Sequence, residues 1–298
     1  VCNTPGSLCC ARDDGKLDLN PATDKEDCMP RLEGRYGFLG YGNMGEAILG
    51  GVLNKGLLSA DRVSVYDPLP VRMSAARERG LICAASPAAL ARACDTLFLA
   101  VKPQQLEDAL RPILDKLPAD ILVISIMAGI SIAVLRNYFG KDARILRVMP
   151  NTPALAGAGA AALACSDTCR PGDIEIGKAI FNAVGIAEVV PESCMDAVTA
   201  LSGSGPAYFF YLTECMIKAA VAEGLPEPLA ERLAGQTLVG AGQLLLQANK
   251  APAVLREQVT SKGGTTFAAL ETLRAHAYEE IVQRAIHAAA DRSRELGK

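Results

Sequence analysis

A chain of 298 residues, half of them hydrophobic, can bury a large core and has room for two domains. Its net charge of -3 comes without a long basic run, which argues against nucleic acid or an anionic membrane surface as the main partner. Apolar runs such as 121–127 are far shorter than a bilayer span, so no membrane segment is expected.

The first 34 residues differ from the rest. They carry seven acids, four basic residues and four cysteines (Cys2, Cys9, Cys10 and Cys28), with no apolar core and no sustained periodicity. Such a segment is a poor signal or transit peptide. A disordered extension is expected over 1–34, with residues 1–28 a tail, a processing remnant or upstream translation ahead of Met29. A cysteine redox switch is the alternative. The other six cysteines, Cys83, Cys94, Cys165, Cys169, Cys194 and Cys215, sit in apolar stretches and read as buried free thiols of a reducing compartment. The expected compartment is the cytoplasm, with plastid and mitochondrion left open. Cys165 and Cys169 have a metal-like spacing, but no second ligand pair follows, and no metal is expected.

From residue 35, β-rich and helical stretches alternate. Strands are expected at 35–39, 63–66, 96–101, 121–126 and 143–148, with helices between them at 44–55, 71–78, 87–93, 104–116 and 132–139. A short extra strand fits 81–83. Two further strands, 158–164 and 187–190, flank a helix at 171–182. Alternation with short connections means a parallel, doubly wound sheet. After Pro191 the character changes. Stretches rich in Ala and Leu at 194–223, 227–248, 267–275 and 277–296 read as helices, punctuated by Gly224, Pro226 and Pro252. Ala285, Ala288 and Ala289 suggest close helix–helix contact. The expected fold class is α/β, with a Rossmann-type half over 35–190 followed by an all-helical half over 191–298. That second half is apolar enough to pack against another copy of the chain.

Two stretches carry chemistry. Gly40, Gly42 and Gly45, with Tyr41, Asn43 and Met44 between them, spell G-x-G-x-x-G after an expected strand and at the start of an expected helix. Gly40 makes the tight turn, Gly42 lets the main chain approach a pyrophosphate, and Gly45 lets helix pack on strand. Asp67 ends the second strand, 22 residues past Gly45. A carboxylate there bonds the adenosine ribose hydroxyls and repels the 2′-phosphate of NADP. Arg72 offsets that repulsion if the loop folds back, so the residues lean towards NADH and leave NADPH open. Val101, Lys102 and Pro103 follow one later strand and Asn151 another, at the carboxyl edge where ligands bind. This places Lys102 and Asn151 near nicotinamide and substrate, with rigid turns as the alternative. The second stretch is Thr260-Ser261-Lys262-Gly263-Gly264-Thr265-Thr266, ahead of an expected helix. It offers backbone N–H groups, hydroxyls and one lysine to a small anion such as a carboxylate. The chain has two histidines, neither in this stretch, so the site suits binding of a small acid better than histidine-based proton chemistry. Helix capping is the alternative for Ser261 and Thr266.

In this order the motifs resemble the pyrroline-5-carboxylate reductase family over about residues 35–296. The resemblance rests on Gly-Phe-Leu-Gly-Tyr-Gly-Asn-Met-Gly at 37–45, Ala-Val-Lys-Pro at 100–103 and Met-Pro-Asn-Thr-Pro-Ala at 149–154. Leu-Ser-Gly-Ser-Gly-Pro-Ala-Tyr at 201–208 and Gly-Gly-Thr-Thr at 263–266 carry its specificity. Three features depart from the family pattern: Lys262 stands where proline is usual, His276-Ala-Tyr replaces a Gly-Phe-Arg-like turn, and the segment before Met29 has no counterpart.

The resemblance implies a Rossmann domain plus a helical domain that dimerises and binds substrate. The active site would lie between subunits of a homodimer or larger homo-oligomer, often a decamer. The reaction implied is reduction of 1-pyrroline-5-carboxylate to L-proline with NADPH or NADH. Thr266 would hydrogen-bond the ring nitrogen. The Ser261 hydroxyl and the N–H groups of Gly264 and Thr265, in the loop that includes Gly263, would hold the carboxylate. Ser204 would belong to a cap of the long helix near the nicotinamide. Tyr208 is a core residue or a proton donor, and His276 and His287 are structural or surface residues. Two rivals are a hydroxyacid dehydrogenase of the phosphogluconate type and a non-catalytic NAD(P)-sensing dimer. The first needs a lysine where Phe209 stands, and the intact Gly-Gly-Thr-Thr argues against the second.

Overall fold

The structure is a computed structural model and describes residues 31–297. One sheet of eight strands organises the first half. It comprises β1 (Tyr36–Leu39), β2 (Val63–Tyr66), β3 (Ile82–Cys83), β4 (Thr96–Leu99), β5 (Leu122–Ser125), β6 (Arg144–Met149), β7 (Gly159–Cys165) and β8 (Gly185–Val189), in the spatial order β3-β2-β1-β4-β5-β6-β7-β8. Helices α1 (Asn43–Asn54), α2 (Pro70–Glu78), α3 (Pro87–Arg92), α4 (Leu106–Leu110), α5 (Ile132–Phe139) and α6 (Pro171–Asn182) alternate with them. Every residue of β1, β4 and β5 is buried, as expected of unbroken apolar strands covered on both faces. Phe38 and Phe98 stand opposite each other in β1 and β4, with stacked rings 4.2 Å apart. Leu97, Leu99, Val123 and Leu135 share one core cluster with no exposed surface, each contributing about 2 kcal/mol by burial.

Strands β1 to β6 run parallel, but β7 is antiparallel to β6 and β8 is parallel to β7. The expectation of a wholly parallel sheet is therefore corrected to a mixed one. The cause is the connection at 150–158, whose only element is a 3-10 turn at Thr152–Ala156. A link that short joins antiparallel neighbours, whereas a parallel return needs a crossover of a dozen residues or more. The expected helix at 104–116 is also broken, into a 3-10 turn (Pro103–Gln105), α4 and a second 3-10 turn (Leu114–Lys116). Pro112 lacks an N–H and disfavours helix in the residue before it. Residues 31–34 belong to the fold, since Leu32 is buried and donates its N–H to the Leu57 carbonyl at 2.9 Å. The expectation for residues 1–30 lies outside the described residues.

The second half comprises α7 (Met195–Val198), a π-helical turn (Thr199–Gly203), α8 (Gly205–Ala222), α9 (Glu227–Gln247), α10 (Pro252–Gln258), α11 (Thr265–Ala275) and α12 (Tyr278–Leu296). The single helix expected over 194–223 is interrupted by the π turn, ahead of Gly205 and Pro206. Helix α10 was not foreseen, because Pro252 opens a helix here rather than ending one, as proline does well at a first helical position. Helix α12 folds back onto α7 and the π turn at the start of this half. The Ser293 hydroxyl donates to Asp196 Oδ1 at 2.6 Å, and Ala290 is buried. Ala285 and Ala288 are exposed, so the close helix contact lies further along α12 than the alanine spacing suggests. Helices α8 and α9 bury one residue each, and α10 and α11 bury none. Their large apolar side chains, among them Phe209, Phe210, Leu246 and Phe267, stand exposed on the single chain.

Candidate active site

At the carboxyl end of β1 the chain turns sharply into α1. Gly40 has φ +96°, and a Cβ there would lie 2.7 Å from the Ala100 carbonyl, so both conformation and space require glycine. Gly42 is different. Its φ of -78° suits any residue, and a Cβ at that position meets nothing within 4 Å. Among the described residues no packing explains glycine there, whereas close approach of a pyrophosphate does. The first N–H groups of α1, from Asn43, Met44 and Gly45, have no partner within the helix, and with the helix dipole they suit an anion. Gly45 sits close against the turn, a Cβ there lying 3.4 Å from the Gly40 carbonyl oxygen.

Asp67 follows β2 and faces this turn. Its Oδ2 accepts the Tyr41 N–H at 2.8 Å and its Oδ1 accepts the Leu69 N–H at 2.9 Å. The carboxylate is thereby fixed at the rim, and each oxygen keeps a further lone pair for a ribose hydroxyl. Tyr41 contributes main chain only. Its side chain is fully buried, its hydroxyl lacks a partner, and burial pushes its pKa up.

Strands β1 and β4 lie side by side although β2 flanks β1 on its other side, so the strand order reverses here. Ligands bind at such a switch point. Val101, Lys102 and Pro103 follow β4, with Val101 packed on the core and Lys102 exposed at the head of a 3-10 turn. Asn151 follows β6. It is buried, its Nδ2 donates to the Ser202 carbonyl at 3.0 Å, and its Oδ1 accepts the Ala160 N–H at 2.8 Å. Its amide ties β7 to the π turn. Ser204 ends the π turn, donating its N–H to the Thr199 carbonyl at 2.8 Å. It makes no side-chain cap, so the capping expected of that segment is absent at Ser204. The Tyr208 hydroxyl donates to the Ala200 carbonyl at 3.0 Å, which makes Tyr208 structural. His276 and His287 are surface residues.

The loop before α11 forms a second cluster. Gly263 has φ +73°, and Gly264 donates its N–H to the Ser261 carbonyl at 3.0 Å. A Cβ at Gly264 would lie 2.4 Å from Ser261 Oγ, so glycine is needed to keep the serine hydroxyl in place. The Gly264 N–H is thus engaged in the turn. The Thr265, Thr266 and Phe267 N–H groups remain at the helix N-terminus without intrahelical partners. No side chain caps this helix, and among the described residues the Ser261 and Thr266 hydroxyls make no hydrogen bond, so capping does not account for them. Glycine turn, Asp67 and the 101–103 segment thus gather at one sheet edge, while the 260–266 loop stands at the head of α11, which packs on α12.

Among the described residues, no helix is long and apolar enough to cross a membrane, and no group of three or more His, Cys, Asp or Glu side chains is placed to hold a metal. A glycine turn open to a pyrophosphate, a fixed carboxylate after β2 and a reversal of strand order define an NAD(P)-dependent oxidoreductase. Comparison with known proteins makes this specific. Residues 35–129 match the family model described as NADP oxidoreductase coenzyme F420-dependent, and residues 192–296 match pyrroline-5-carboxylate reductase dimerisation. The chain is 37% identical to the pyrroline-5-carboxylate reductase of Methanosarcina acetivorans, covering 89% of this chain and 98% of the relative. It is 36% identical to that of Escherichia coli, covering 90% and 100%. The solved pyrroline-5-carboxylate reductase of Coxiella burnetii superposes with a TM-score of 0.84 at 33% identity, over 90% of this chain and all of that one. That of Plasmodium falciparum, with NADP bound, gives 0.80 at 31% over the same shares. The chain belongs to the pyrroline-5-carboxylate reductase family. It is an NAD(P)H-dependent oxidoreductase with a small-molecule substrate, and its second half is the homo-oligomerising one.

Proposed function

We infer that this chain reduces the C=N bond of 1-pyrroline-5-carboxylate to L-proline, the final step of proline biosynthesis. Residues 35–190 hold the nucleotide, and residues 191–298 hold the substrate and a partner copy. Residues 40–45 and 101–103 would hold the dinucleotide, which would supply the hydride that the ring carbon accepts. The chain's own residues orient the acceptor. The Thr266 hydroxyl hydrogen-bonds the ring nitrogen, while the Ser261 hydroxyl and the Thr265 N–H hold the carboxylate. A protonated imine becomes a neutral amine on gaining hydride, so no strong general acid is needed at that step, and a loop without histidine suffices. Orientation and preorganised dipoles supply the acceleration.

The observation that carries this reading is the 260–266 loop. Among the described residues it offers free N–H groups and two unengaged hydroxyls at a helix N-terminus, in a chain of this family. The exposed apolar faces of α8–α11 support a dimer, and decamers built from dimers follow from the family resemblance. The cytoplasm is the proposed compartment, supported by six described cysteines that are free thiols. The test follows oxidation of NADH and NADPH at equal concentrations with 1-pyrroline-5-carboxylate. Rapid oxidation with L-proline as product is expected. A folded sample that binds nucleotide yet oxidises neither would replace this reading with a nucleotide sensor.

A further inference from the structure

At the corner where the N-terminus of α1 meets α2, one carboxylate stands between two guanidinium groups. Glu46, in the first turn of α1, accepts from Arg79 Nη2 at 3.2 Å and lies 3.5 Å from Arg72 Nη1. Arg72 also donates from Nη2 to Asn43 Oδ1 at 2.7 Å. Arg79 lies along α1 where position 50 is glycine, since a Cβ there would come within 2.9 Å of Arg79 Nη1. Behind the cluster is Tyr41, fully buried, with an unpartnered hydroxyl that feels the charges of Arg79, Glu46 and Arg72. The cluster itself opens to solvent, with Arg72 31% and Glu46 28% exposed. Asp67 is bound to the same segment through the Tyr41 N–H.

In a dinucleotide-binding sheet the adenosine ribose lies beside the residue that ends the second strand, and a nearby arginine accommodates a 2′-phosphate. Two arginines are available here, and both are already paired with Glu46. Asp67 and Glu46 also balance their charge, leaving the corner neutral for an incoming phosphate. We propose that Glu46 is a positioning residue that sets cofactor preference. By holding Arg72 and Arg79 against α1, and by placing a second carboxylate near Asp67, it makes the corner accept the ribose hydroxyls of NADH in preference to the 2′-phosphate of NADPH. The proposal rests on the dinucleotide reading of residues 40–45.

The test titrates NADH and NADPH, by quenching or enhancement of nicotinamide fluorescence, into the full chain and into Glu46→Gln. The glutamine keeps shape but leaves one net positive charge and releases Arg72. The ratio of the NADPH to the NADH dissociation constant should fall about tenfold, the scale of one unit charge across a partly solvated interface. Adding Arg72→Ala to Glu46→Gln should reverse most of that gain, a coupling that a merely structural role of Glu46 would not produce. A ratio that moves less than about twofold, or one that Arg72→Ala leaves untouched, overturns the proposal. If Glu46→Gln does not fold, Glu46→Ala carries the same test, because it removes the same charge and frees both guanidiniums while keeping a good helix former. Failure of the unsubstituted chain to bind either nucleotide would instead overturn the dinucleotide reading, and this proposal with it.

Discussion

Gly42→Ala separates nucleotide binding from folding. The residue has φ -78° and ψ -178°, and a Cβ built on it meets no atom within 4 Å. Alanine accepts that backbone and gains about 0.4–1 kcal/mol through the unfolded chain, but Gly42 is also the N-cap of α1, where alanine is worse than glycine by about the same amount. The two effects offset, so Tm should stay within about 1–3 °C of the parent. A bound pyrophosphate disfavours alanine, because an added methyl in a tight contact costs about 1–3 kcal/mol, or roughly a 5- to 150-fold weaker Kd. Gly40→Ala supplies the contrast. Its φ of +96° and the 2.7 Å approach to the Ala100 carbonyl make that substitution lower Tm outright, by at least about 1–3 kcal/mol of backbone strain. Thermal unfolding followed by circular dichroism, paired with nucleotide titration, reads both effects. If folded Gly42→Ala binds nucleotide within about twofold of the parent, the assignment of Gly42 to the pyrophosphate is refuted.

Thr266→Ala should lower turnover about a hundredfold, as loss of one preorganised donor does, while NADH binding persists; parental turnover would remove Thr266 from the reaction. Asn151→Ala should lower stability by about 2 kcal/mol, because it strands the Ala160 N–H and the Ser202 carbonyl. If Asn151 only touched substrate, the melting curve would not move. Burial pushes the Cys94 thiol up to about 12, so it stays protonated at neutral pH. Peptide mass mapping after iodoacetamide should find Cys94 alkylated only once the chain is unfolded.

The sequence made the nucleotide half legible because its signals are local. β2, α5 and α6 fall where their periodicity places them, and the glycine turn opens α1 as its spacing demands. The inverted β7 was hidden because periodicity says nothing about a strand's neighbour, although the short link at 150–158 held the clue. The same limit applies to Asn151, Tyr41 and Glu46. Asn151 looked like a ligand from its place after a strand, but its partners at Ala160 and Ser202 are set by tertiary packing. Tyr41 lies inside a binding motif yet turns its ring into the core. The pairing of Glu46 with Arg72 and Arg79 spans 26 and 33 residues and follows no sequence rule. At 260–266 the residue types were readable, whereas the commitment of the Gly264 N–H to Ser261 depends on the conformation of the turn.

Helix α12 completes the packing around α7 and the π turn, yet it is made after the helices whose apolar faces stand exposed. The stretch 195–203 therefore gains its last packing partner from the end of the chain, after the segments whose apolar faces stand exposed.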